Sequence, residues 1–197
     1  MWSETSSNMI LRNGKQVIVR PMTAEDAARL QRFFLRLPEE DRLFLEDDVT
    51  RPDFVERLQN QQQSEEALTL VAEAEGEIVG YGTLYRPRFG WSTHVGRVRS
   101  AVAKSWQRQG LGTAILRELV KKAQVLAVDK LVAEVVEDQT GALRAFEKLG
   151  FHREAVLVGH VKDITGKKRN LVILANNVAH IWEHMEVLLA DFQPSAG

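Results

Sequence analysis

Residues 102–113, Val-Ala-Lys-Ser-Trp-Gln-Arg-Gln-Gly-Leu-Gly-Thr, constrain this chain more than any other stretch. Upstream, residues 95–103 read as an apolar strand. Downstream, residues 111–127 read as an amphipathic helix, with Leu111, Ile115, Leu119 and Ala123 on one stripe and Arg117, Lys121 and Lys122 outside it. A strand that turns through glycines directly into a helix leaves unpaired N–H groups at the helix's positive end. That combination holds phosphate. Gly110 and Gly112 let a ligand approach the main chain without a Cβ in the way, and Gln107 and Arg108 add donors and charge.

Spacing excludes two common phosphate loops. A nucleotide-triphosphate P-loop needs a lysine after its last glycine, whereas Gly112 is followed by Thr113 and Ala114. A dinucleotide fingerprint needs a third glycine three residues further on, where this chain has Ile115, and it opens an N-terminal βαβ unit. What remains is Gln107-x-x-Gly110-x-Gly112. It resembles the pyrophosphate loop of the GNAT N-acetyltransferase superfamily, [Gln/Arg]-x-x-Gly-x-[Gly/Ala]. Further along, Gln139-x-x-Ala142-x-x-x-Phe146-x-x-x-Gly150-Phe151 is similar to that family's second signature, which carries Asn and Tyr at the first and third of these positions. Two motifs in the family's order say more than either alone.

Composition is compatible with this. A chain of 197 residues suits one domain of α/β or α+β type. The net charge of −1 gives no general drive toward nucleic acid or an anionic membrane. The absence of cysteine excludes disulfides, cysteine metal sites and a thiol nucleophile. No apolar run approaches the roughly 18–20 residues of a membrane-spanning helix, and residues 1–13 lack the apolar core of a signal peptide. The expectation is a cytoplasmic protein.

Along the chain, residues 16–20 alternate as a strand that ends at Pro21, and Thr23 caps a helix carrying Ala27, Leu30, Phe33, Phe34 and Leu37. An acidic loop or short helix covers 37–48, and a second helix covers 52–62. Strands follow at 68–73 and 77–85, joined at the hairpin signal Glu75-Gly76. Residues 130–136 form a β-rich run, and two more strands lie at 155–161 and 168–175. This order, β-α-α-β-β-β-α-β-α-β-β, is the one the GNAT resemblance implies. The expected fold is therefore α+β: a mixed, mostly antiparallel central sheet flanked by helices, over residues 16–176. A C-terminal helix at 177–192 is extra. Val178, Ile181, Met185, Leu188 and Phe192 form its apolar stripe, which packs on the domain's own sheet or on a second copy in a homodimer. On the same helix His180-Ile-Trp-Glu183-His184 matches an inverted zinc-protease motif. Such a site needs a third ligand, only 13 residues of this sequence follow His184, and the histidines lie opposite the apolar stripe. They read as a solvated face, with no metal.

The resemblance implies acetyl-coenzyme A as co-substrate and transfer of an acetyl group to a primary amine by direct attack on the thioester. Backbone groups of Val102, Ala103 and Lys104 would bind the pantetheine arm as an added strand, and one N–H would polarise the thioester carbonyl. The pyrophosphate would sit on Gln107, Arg108, Gln109, Gly110, Leu111, Gly112 and Thr113. Gln139 and Phe146 would complete the cofactor site. Phe146 departs from the family's tyrosine and cannot protonate the leaving thiolate; either that acid is dispensable or the chain binds acyl-CoA without turnover. An alkyl amine with a pKa near 10.4 must lose a proton, and the candidate bases are Glu137, Glu134 and His94, with Glu73 or a water chain as alternatives. Glu134 and Glu137 face opposite sides if the strand is regular. The acceptor is a protein lysine or a small amine. The acidic stretch Glu39, Glu40, Asp41, Glu46, Asp47 and Asp48 would suit a cation, and it is also readable as a solvated loop.

Overall fold

The computed structural model describes residues 6–43, 45 and 47–179. Eight strands form one sheet in the order β1-β2-β3-β4-β5-β6-β8-β7. They are β1 (Ser7–Ile10), β2 (Gln16–Pro21), β3 (Ala67–Ala74), β4 (Glu77–Tyr85), β5 (Val95–Val102), β6 (Lys130–Val136), β7 (His152–Lys162) and β8 (Lys168–Asn177). All neighbours are antiparallel except β5 and β6. The helices are α1 (Ala27–Arg36), α2 (Glu39–Leu43), α3 (Pro52–Gln63), α4 (Leu111–Val125) and α5 (Thr140–Lys148). The expected mixed, mostly antiparallel sheet with flanking helices is what the chain forms.

Two apolar layers cover the two faces of the sheet. On one, α4 and α5 bury Leu111, Ile115, Leu119, Ala123, Leu143 and Phe146 against Leu68, Leu70, Leu131 and Val135. On the other, α1 and α3 bury Leu30, Phe33, Phe34, Phe54 and Leu58 against Val71, Ile78 and Tyr81. The period-2 alternation of each strand divides its residues between the layers. The stripe read from the sequence of α4 is buried in full.

Helix α4 lies close to β4 because β4 carries glycine where they touch. A Cβ at Gly82 would stand 2.4 Å from Ile115 Cγ2, and one at Gly80 would stand 2.8 Å from Ile115 Cδ1. Any side chain there would push the helix, and the loop that precedes it, away from the sheet.

The structure adds one strand to the sequence reading. Strand β1 pairs with β2 through a tight turn at Asn13-Gly14, with Gly14 at φ 80°. Four residues of strand precede the Leu11–Lys15 closure, and only alternate β1 side chains are partly covered. Within the acidic stretch, read from the sequence as a loop or short helix, Glu39–Leu43 form α2, which buries no residue. The C-terminal helix read from the sequence, with His180 and His184, lies outside the described residues beyond Ala179; Val178 packs into the larger core.

Candidate active site

Strands β5 and β6 diverge. β5 is paired with β4 along its length, from Tyr85↔Arg97 to Gly80↔Val102. Its parallel pairing with β6 covers only Val95↔Lys130, Gly96↔Leu131 and Arg97↔Val132. The Ala103 N–H donates to the Val79 carbonyl at 2.9 Å, which fixes the phase of the ladder. Ala101 and Arg99 therefore turn their main-chain groups to β4, and Ser100 and Val102 turn theirs into the opening toward β6. An edge of this kind accepts an extended ligand as an additional strand.

The opening leads straight to the start of α4. After a 3-10 turn at Lys104–Trp106, the buried Trp106 anchors the loop, with the Lys15 ammonium 4.3 Å above its ring. Arg108 and Gly110 are both left-handed, at φ 60° and 93°, and curl the chain into the helix. The first helical hydrogen bond is from the Ala114 N–H to the Gly110 carbonyl, at 3.0 Å. The N–H groups of Leu111, Gly112 and Thr113 precede it and have no intrahelical acceptor. Pointing outward at the positive helix end, they form an anion cradle. Such a group fits a diphosphate, and the adjoining strand edge fits an amide-bearing arm.

The loop is braced from β1–β2, which sequence reasoning missed. The Gln109 carbonyl accepts the Arg12 N–H at 3.4 Å, and its side-chain oxygen accepts the Asn13 amide at 2.6 Å. Its own amide donates to the Ser105 carbonyl at 2.9 Å. The Arg12 Nε lies 4.0 Å from where a Gly110 Cβ would be, so its guanidinium borders the cradle. The signal that could have found this is Asn13-Gly14, a strong hairpin dipeptide.

The structure brings Val102, Gln107, Arg108, Gly110, Leu111, Gly112 and Thr113 together around the end of the opening. Gln107 folds back, its amide donating to the Val102 carbonyl at 3.1 Å. The Ala103 N–H is engaged with β4, and Lys104 starts the 3-10 turn. Gln139 caps α5, with its carbonyl accepting from Leu143. Phe146 is buried in the core, its ring packed edge-on to Phe151 at 5.1 Å.

The four titratable candidates separate. Glu134 projects from the face of β6 opposite Leu131, Ala133 and Val135, which face α4 and α5. It borders the opening with Arg97, Val98, Arg99 and Val132, and its carboxylate is 3.9 Å from Arg97. Glu137 accepts the Asn170 amide at 2.8 Å and lies near Arg153, away from the opening. His94 is exposed at the other end of β5, where the two strands are still paired. Glu73 is held by Arg20 and Arg29 at 2.8 and 2.9 Å, which draw its carboxyl below the usual range.

Beside Glu134, on the α1–α3 side of the sheet, is a cavity of about 200 Å3. Arg97, Arg99 and Arg57 line it, with Asp47, Tyr81 and Thr83. Asp47 accepts from Arg99 at 3.1 Å and lies 3.8 Å from Arg57. Burial raises the Tyr81 phenol above its ordinary value, so it is a neutral donor.

A sheet that splays beside a glycine-turned helix N-terminus has the shape to receive a ligand with a diphosphate and an extended arm. The chain belongs to the acetyltransferase (GNAT) family, whose model matches residues 30–151. It is similar to an N-alpha-acetyltransferase of Sulfurisphaera tokodaii, at 32% identity over 62% of this chain and 77% of the relative. It is also similar to the L-amino acid N-acetyltransferase AaaT of Escherichia coli, at 31% identity over 50% of this chain and 56% of that protein. The fold matches that of Mycobacterium smegmatis RimJ in complex with CoA-disulfide, with a TM-score of 0.74 at 21% identity, over 94% of this chain and 96% of that one. Among the described residues no helix is long and apolar enough to cross a membrane, and no group of three or more His, Cys, Asp or Glu is placed to hold a metal ion.

Proposed function

We propose that this chain transfers an acetyl group from acetyl-CoA to a primary amine. The observation that carries this is the continuity of the β5–β6 opening with the left-handed turn at Gly110 and the free N–H groups of α4. Bound there, acetyl-CoA supplies the activated acyl group. The N–H groups of Leu111, Gly112 and Thr113 hold the diphosphate, with Arg108 and Arg12 adding positive charge. The main-chain groups of Ser100 and Val102 orient the arm along β5. An N–H of that edge donates to the thioester oxygen as negative charge develops on it.

Glu134 takes the proton from the attacking amine. It faces the opening on the side where the cavity admits an acceptor, and the guanidinium of Arg97 is beside it. Phe146 supplies no proton. A thiol with a pKa of about 8.5 leaves without one, and the ring's place in the core accounts for its presence. The missing acid supports a second reading, acyl-CoA binding without turnover.

Thiol release from acetyl-CoA, followed over a panel of amino acids, polyamines and a lysine peptide, separates the two. Release above the acceptor-free rate supports the enzyme, and CoA binding with no release from any acceptor supports the second reading. Glu134→Gln is expected to lower kcat about 100-fold or more with the affinity for CoA unchanged. An unchanged kcat assigns proton removal to water instead.

A further inference from the structure

We propose that the β1–β2 hairpin is the positioning element of the cofactor site: Asn13 fixes Gln109, and through it the left-handed turn that presents the N–H groups of α4 to the diphosphate. The inference rests on the acetyl-CoA reading above. It adds to that reading a residue 96 positions from the loop in sequence, outside both family motifs.

Strain in the loop is the first argument. Arg108 and Gly110 sit at φ 60° and 93°, with Gln109 between them. Gly110 adopts that conformation freely, whereas Arg108 carries a Cβ and adopts it at a cost. A strained residue keeps its conformation only where its surroundings over-determine it. Here the surroundings act on Gln109. Its side-chain oxygen accepts the Asn13 amide at 2.6 Å, its own amide donates to the Ser105 carbonyl at 2.9 Å, and its main-chain carbonyl accepts the Arg12 N–H at 3.4 Å. With Gln109 held at three atoms, the left-handed residues on either side of it have little room to relax.

The chemistry of the hairpin tip is the second argument. Asn13 uses both ends of its side-chain amide. The oxygen accepts the Lys15 N–H at 3.1 Å and closes the turn, and the nitrogen reaches Gln109. Aspartate before Gly14 would serve such a turn as well, so the turn by itself does not call for the nitrogen. The contact to Gln109 does.

The hairpin is also a firm reference for the loop. Just before its tip Leu11 is buried in the larger core, and just after it the Lys15 ammonium lies 4.3 Å above the ring of the buried Trp106. Asn13 thus extends from a part of the chain fixed on both sides of the tip. A turn set in advance binds a diphosphate without a further ordering cost. A loop that relaxes in the free protein lowers the apparent affinity by the fraction of molecules in which the turn is formed.

The test uses the full chain, calorimetric titration with CoA, and thiol-release kinetics over a range of acetyl-CoA. Asn13→Ser is compatible with a turn and too short to reach Gln109. It should raise Kd for CoA and KM for acetyl-CoA about threefold to tenfold, the worth of one hydrogen bond, with kcat at saturating acetyl-CoA unchanged. Gln109→Ala should weaken CoA binding from the other side of the contact, and adding Asn13→Ser to it should cause no further loss. Ser7→Ala is the control. The Ser7 hydroxyl donates to Glu118 at 3.1 Å and ties the far end of β1 to α4, so its loss should lower the melting temperature and leave Kd for CoA unchanged. The proposal is overturned if Asn13→Ser binds CoA as tightly as the parent, if the two losses add in the double variant, or if Ser7→Ala weakens CoA equally; each of these results leaves the cofactor reading standing. A parent chain that binds no CoA ends that reading, and the proposal falls with it.

Discussion

Replacing Gly110 with alanine tests the phosphate cradle at its most constrained point. Gly110 sits at φ 93°, ψ −5°, a conformation that costs an L-residue roughly 1–2 kcal/mol. Sterics add nothing, because the new Cβ would meet no atom nearer than Arg12 Nε at 4.0 Å. The strain must therefore appear in one of two places. If the free protein keeps the turn, unfolding free energy falls by about 1–2 kcal/mol and the affinity for CoA is unchanged. If the free loop relaxes to negative φ, stability is spared and the ligand must restore the turn, weakening CoA binding by about fivefold to thirtyfold. The two losses together should sum to about 1–2 kcal/mol. Urea unfolding and calorimetric titration with CoA measure them separately. Gly112→Ala is the control. Its Cβ would make an ordinary contact, 3.7 Å from Val102 Cγ2, in a helical conformation, so stability should hold or rise by up to about 1 kcal/mol. If Gly110→Ala changes neither quantity, or Gly112→Ala loses as much stability, the left-handed turn does not hold the loop.

Gly82→Ala should lower stability by about 1–3 kcal/mol through overpacking, since its Cβ would stand 2.4 Å from Ile115 Cγ2 and 3.1 Å from Leu119 Cδ1; an unchanged urea midpoint would contradict the close approach of α4 to β4. Phe146→Ala should cost about 3–5 kcal/mol, because the ring is 4% exposed and packed on Phe151, and a small loss would move Phe146 out of the core. Acid should destabilise the α1 end of the sheet. Burial opposes ionisation of Asp26, yet hydrogen bonds from Arg20, Thr23 and Arg29 prevail and depress its pKa below the ordinary carboxylate value; Arg29 and Arg20 depress that of Glu73. A depressed folded-state pKa gives stability that is present above the unfolded value and is lost as pH falls through the folded one. Asp26→Asn should thus be less stable than the parent at pH 7, with the gap closing below about pH 4; a gap constant from neutral to acid pH would show that Asp26 contributes by shape alone.

The donor half of the site was legible in the sequence because a main-chain cradle is written locally. The spacing of Gly110 and Gly112 after an apolar strand states the turn, the helix start and the anion in one segment. The splay beside it was available only through the family resemblance, since it depends on where β5 stops pairing with a strand that begins at Lys130. Strand β1 was passed over because four residues ending in Ile10, 75% exposed, carry no apolar alternation, although Asn13-Gly14 marked its turn. The acceptor half is the opposite case. Arg97 and Arg99 flank Val98 as a solvated face would, and the acids at 46–48 look like an anionic wall. Only the β4–β5 register sets Arg99 opposite Thr83, and only the fold brings Asp47 to Arg99 and Arg57. Those contacts tie Asp47 to two guanidinium groups, where the linear sequence suggests an open anionic wall. A ligand held by backbone groups within one segment can be inferred from that segment; a cavity lined by side chains from β4, β5 and α3 becomes readable only when the sheet has put them on one face.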